Sequence, residues 1–119
     1  MARRRIDPAD GTLAVAAWRR DDEPPRSTIA TAVRFTLEGL AERAPGNSVE
    51  VRVPPLGVTQ CIEGPRHTRG TPPNVVETDA ATWIDLATGA EAWPDAVAAG
   101  RIAASGTRAD LAALLPLRP

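Results

Sequence analysis

The stretch Thr78–Leu117, TDAATWIDLATGAEAWPDAVAAGRIAASGTRADLAALLPL, decides the fold. Asp79 can accept the free amide hydrogens of a first helical turn, so it predicts a helix start. Trp83, Leu86 and Ala87 then form one apolar face, and Gly89 ends the helix. Pro94 opens a shorter helix that Gly100 ends. Arg101–Ser105 has the length of a strand. Gly106 and Thr107 begin a last helix in which Thr107 and Asp110 stand as in a capping box, with Leu111, Leu114 and Leu115 on its buried face.

Working back toward the N-terminus, Val75 and Val76 after the Pro72-Pro73 break predict a strand, and Val58–Glu63 predicts another. The polar segment Gly64–Asn74 between them is a loop. Before these, Val49, Val51 and Val53 alternate with Glu50 and Arg52, the pattern of a half-buried strand. From Ser27 onward Ile29, Val33, Leu37 and Leu40 recur at helical spacing, with Arg34, Glu38 and Glu42 on the wet face, until Ala44-Pro45-Gly46-Asn47 stops the helix. A first helix starts at Asp7-Pro8-Ala9-Asp10, carries Leu13, Ala16, Ala17 and Trp18, and gives way to the charged connector Arg19–Pro25. Helices thus flank a small, mainly antiparallel sheet, an α+β arrangement in one domain, residues 1–119. Residues 1–24 form its N-terminal helix and linker, and residues 26–119 its core.

Composition narrows the function classes. The 119 residues are 43% hydrophobic and 24% charged, ordinary values for a globular chain able to build one core. A net charge of -1 gives no general attraction for nucleic acid or an anionic membrane. All fourteen basic residues are Arg and none is Lys, a bias resembling that of a GC-rich bacterial genome. The trio Arg3-Arg4-Arg5 reads as a solvated end without a role. No apolar run reaches the roughly 18 residues of a membrane span, and no secretory h-region is expected, so the predicted location is the cytoplasm. The single Cys61 excludes an intramolecular disulfide, and one Cys with one His leaves no zinc ligand set. No metal or cofactor is expected.

The helix, glycine, short helix, strand and Gly-initiated turn of Thr78–Leu117, with landmarks Asp79, Trp83, Leu86, Gly89, Ala96, Gly100, Arg101, Ile102 and Gly106, resemble the C-terminal half of sterol carrier protein type 2 domains. With RRIDPADG at the start and CIEGPRHTRGTPPNVVETD in the middle, nearly the full chain resembles the compact actinobacterial family of bacterial orthologues of that domain. The resemblance implies a five-stranded sheet covered on one face by helices. Between them it implies an apolar cleft for a fatty acyl chain or sterol-like ligand, and no catalytic machinery. The chain departs from this pattern in having one Phe, no Tyr and many Ala. Either small residues open the pocket or the helices pack closer and leave none.

Two groups of residues are candidates for a site. Ile29, Val33 and Leu37 of the long helix, with Trp83, Leu86, Val97, Ile102, Leu111 and Leu114, can line an apolar slot or make up plain core, and periodicity does not separate the two. Glu63, Arg66, His67 and Arg69 place two guanidinium groups, an imidazole and a carboxylate in one loop. Arg forks suit a carboxylate or phosphate, so the loop can hold the anionic head of an acyl ligand at a polar mouth. It can equally be structural, with Glu63 paired to Arg66 or Arg69. Cys61, His67 and Glu63 also form the cast of a thiol nucleophile, which requires the three to converge. A buried strand cysteine is usually inert, so no enzyme is expected. The expected function is a non-catalytic carrier of a fatty acyl or sterol-like ligand. The alternative is a structural or partner-binding module, because similar domains also occur attached to actinobacterial enzymes. In the latter case the partner is a separate protein chain.

Overall fold

The structure, a computed structural model, describes residues 4–64 and 74–117. Four helices and four strands follow in the order α1 (Pro8–Arg20), α2 (Arg26–Arg43), β1 (Val49–Val53), β2 (Gly57–Cys61), β3 (Val75–Thr78), α3 (Ala80–Thr88), α4 (Trp93–Ala98) and β4 (Ile102–Ser105). The sheet runs β2-β1-β3-β4. β1 pairs antiparallel with β2 and parallel with β3, and β3 pairs antiparallel with β4.

Local chemistry sets the helix ends. The Asp7 carboxylate accepts from Ala9 N at 2.9 Å with Pro8 at the first helical position, and Asp79 accepts from Thr82 N at 2.8 Å. Gly89 closes α3 at φ 89°, a left-handed conformation that glycine adopts without a Cβ penalty. The alternation of β1 puts Val49, Val51 and Val53 at 0–1% exposure, in one core cluster with residues of α2 and α3. In the observed register Cys61, Thr59 and Gly57 share that inner face with them. The outer face carries Glu50, Arg52, Val58 and Gln60, half-buried or exposed.

α2 is the central element. One side packs on the sheet, where Gly57 lets Leu37 and Val33 come close to the β2 backbone and Arg34 Nε donates to Leu56 O at 2.8 Å. The other side carries α1. A Cβ at Gly11 would overlap the Phe35 ring, so this contact of helix backbone against aromatic face requires glycine. Just before α1, the Glu38 carboxylate accepts from Arg5 N and Ile6 N at 3.1–3.2 Å, and Arg4 pairs with Glu42 at 2.7 Å. The Arg4 guanidinium also lies 4.9 Å from the centre of the Phe35 ring. Arg4 is therefore not a solvated end.

Two expectations are corrected. The described residues form four strands, not five: beyond β4 the chain leaves the sheet and crosses the helical layer instead of adding a strand. The last helix is reduced to a single 3-10 turn, Ala112–Leu114. Asn74 Oδ1 accepts from Arg108 N at 2.9 Å, which ties the start of the segment to the sheet. Asp110 uses its carboxylate locally on Ala112 N at 2.8 Å, and Pro116 disfavours helical backbone at Leu115. The resulting strap ends where Leu117 N donates to Ala87 O at 2.9 Å.

Candidate functional site

The apolar residues singled out from the sequence converge between α2, α3 and the inner face of the sheet. Val33, Trp83 and Leu111 are 0% exposed, Leu86 1% and Leu37 2%. Ile29, Ile102 and Leu114 are half-buried at the margin of the same cluster. Val97 stands apart on α4, 46% exposed, because the buried side of that short helix is taken by Trp93 and Ala96. Trp83 is the wedge that joins the layers. Its indole Nε1 donates to Thr36 Oγ1 at 2.8 Å, and that hydroxyl donates in turn to Ala32 O at 2.7 Å. A buried polar edge is thereby satisfied inside an otherwise apolar layer.

Val33, Leu37, Trp83, Leu86 and Leu111 exclude solvent from the centre of the layer. Open clefts of about 310, 570 and 600 Å³ indent the surface elsewhere, and none of the three is lined by Val33, Leu37, Trp83, Leu86 or Leu111. The strap Leu111–Leu117 closes the layer. Leu111 is its anchor, whereas Leu114, Leu115 and Leu117 are half-buried.

At one end of the layer, four chain segments meet. Ile62 N donates to Ala44 O at 2.7 Å, and Ser48 donates from its backbone and hydroxyl to Ile62 O at 3.1 and 2.6 Å. Asn74 Nδ2 donates to Ser48 O at 2.8 Å while its Oδ1 holds Arg108 N. Ile62 sits at φ 66°, a conformation a β-branched residue rarely adopts, so the surroundings hold it there. Arg108 lies against Gly64, where the polar loop leaves the sheet. Of the four residues expected at a polar mouth, Glu63 is exposed at this junction. Arg66, His67 and Arg69 lie outside the described residues. Arg108 and Asn74 are not singled out by the sequence, because neither belongs to a periodic pattern.

Cys61 faces the core at 0% exposure, and burial pushes its thiol up from 9.0 to about 11. It is protonated at neutral pH, which removes the thiolate that nucleophilic chemistry needs. Glu63, two residues on, is exposed rather than turned toward it. A pH experiment isolates this thiol, since the chain has no Lys and no Tyr to titrate nearby. The unfolded chain loses the thiol proton near 9.0 while the folded chain keeps it to about 11. Stability is therefore full below the lower value and falls as pH rises through the interval. Urea midpoints measured from pH 7 to 11 should stay level to about 9 and then drop, and Cys61→Ala should flatten the drop.

No described helix is long and apolar enough to cross a membrane. A comparison with the curated proteins gives no match. A family model described as bacterial SCP ortholog matches residues 25–117, from the start of α2 through the strap. The chain therefore belongs to this sterol-carrier-protein-like bacterial family, and the layer between α2, α3 and the sheet lies wholly within the matched residues.

Proposed function

We propose that the chain is a non-catalytic binder of an apolar ligand of the fatty acyl or sterol class, taken up between α2, α3 and the inner face of the sheet. The observation that carries this reading is the strap. Its leucines Leu114, Leu115 and Leu117 are half-buried on a wall made of one 3-10 turn and irregular chain, and its end is tied to α3 by the Leu117–Ala87 hydrogen bond. Segments with few buried contacts and few backbone hydrogen bonds open first. Lifting this strap uncovers Leu86 and Ala87 and gives an acyl chain access to the layer lined by Val33, Leu37 and Trp83. The junction at Arg108 and Glu63, with the loop that runs on to Arg66, His67 and Arg69, then receives the polar head, a guanidinium being a strong partner for a carboxylate.

A second reading, a structural or partner-binding module without lipid, is favoured by one observation: Val33, Trp83 and Leu111, at the centre of the layer, have no exposed surface. A displacement titration separates the two. A fluorescent fatty acid should bind saturably near one per chain and be displaced by oleate. Arg108→Glu should weaken it by roughly tenfold through loss of a charge-assisted contact and introduced repulsion. Absence of saturable binding would overturn the carrier and leave the partner-binding module.

A further inference from the structure

α1 precedes the matched residues 25–117, and its outward side is not accounted for by the ligand layer. Along it, Asp10, Leu13, Ala17 and Arg20 recur at the spacing that keeps residues on one stripe of a helix. All four line the open groove of about 600 Å³ between α1 and α2, whose other wall is built from Ser27, Thr28 and Thr31. Leu13 protrudes into it at 69% exposure, more than Val58 or Val97.

We propose that this groove is the contact surface for a second copy of the chain, with the two α1 helices packed antiparallel about a two-fold axis. The stripe reads acidic, large, small, basic, and reversed it presents basic, small, large, acidic. Asp10 then faces the partner's Arg20, and Leu13 enters the space left by the partner's Ala17. Both pairings are centred on the same point of the helix, Val15, as one two-fold axis requires. The hydroxyl-bearing wall of α2 consists of small residues, which lets a second helix approach closely. An acyl chain fits the groove less well, since Leu13 interrupts it and charges stand at both ends.

Arg20 already contacts Asp21 at 3.1 Å, but its side chain is 71% exposed, so that pair is weakly held and readily exchanged. A helix of 13 residues is about 20 Å long, so the contact falls below the roughly 800 Å² per partner of stable complexes. Association is therefore concentration-dependent and weakened by salt.

Sedimentation velocity tests this on a series reaching about 0.5 mM. The wild-type chain should shift from monomer toward dimer. Leu13→Asp should abolish the shift, with circular dichroism reporting an unchanged helix content. Asp10→Arg and Arg20→Asp should each be monomeric alone, by like-charge repulsion. Mixed in equal amounts they should form a heterodimer, because each supplies the charges the other needs. A wild-type chain that stays monomeric throughout, a dimer that persists in L13D, or a mixture no more associated than its components would overturn the proposal.

Discussion

Trp83→Ala is expected to lower the stability of the domain by about 3–5 kcal/mol, the range for truncating a large aromatic side chain in a packed core. Trp83 is fully buried and joins α3 to α2 through its contact with Thr36. Domains of this kind are stable by only about 5–15 kcal/mol, so a large share of the folded state's margin goes with one side chain. Thr36→Val separates the two contributions. It keeps the shape at position 36 and leaves the buried Trp83 Nε1 without its acceptor, which should cost about 1–3 kcal/mol. Urea unfolding followed by circular dichroism measures both. A loss near 1 kcal/mol or less for Trp83→Ala would show that the layer around the indole is loosely filled. The indole would then not be the wedge between α3 and α2 described above.

Gly46→Ala should be nearly as damaging, for a different reason. Gly46 has φ 149°, and a Cβ there would fall on the backbone carbonyl of Ile62. The obstacle is main chain, held by Ile62 N to Ala44 O and by both Ser48 donors on Ile62 O, so it cannot rotate aside as a side chain would. Overpacking together with backbone strain is expected to cost about 3 kcal/mol, roughly 10 °C in Tm for a chain of this length. Because the polar loop leaves the sheet at this junction, the same substitution should weaken fatty acid binding if the head group is held there. A Tm within about 2 °C of the wild type would mean that the α2–β1 turn has another conformation open to it.

What the sequence makes legible here is what neighbouring residues decide. Asp7-Pro8 and Asp79 with Gly89 mark helix ends because caps act within a few residues. Val49, Val51 and Val53 show their buried face by strict alternation. The contacts that fix the tertiary arrangement join residues far apart in the chain: Thr36 to Trp83, Glu38 to the backbone of Arg5 and Ile6, and Asn74 to both Ser48 and Arg108. None has a local signal. Arg4 accordingly reads as a solvated end and is instead stacked on Phe35.

The last helix is a case of competition. Thr107 and Asp110 have cap spacing, but Asn74 captures Arg108 and Pro116 limits the run, so a strap forms where a helix is expected. The candidate slot is legible as a list of apolar residues and not as a volume. Leu86 and Leu111 pack at 0–1% exposure while Val97, equally apolar, remains exposed, and only the orientation of α4 separates them.

The central claim is that an apolar ligand is taken up beneath the strap, and a two-dimensional NMR titration with a soluble fatty acid tests it most directly. The account predicts saturable shifts at the Trp83 indole and at the amides of Leu86, Ala87, Leu111, Leu114, Leu115 and Leu117, with Arg108 responding to the carboxylate and the Leu13 side of α1 unchanged. Spectra unaltered at saturating fatty acid, or shifts confined to the outer face of the sheet or to the groove between α1 and α2, would contradict it.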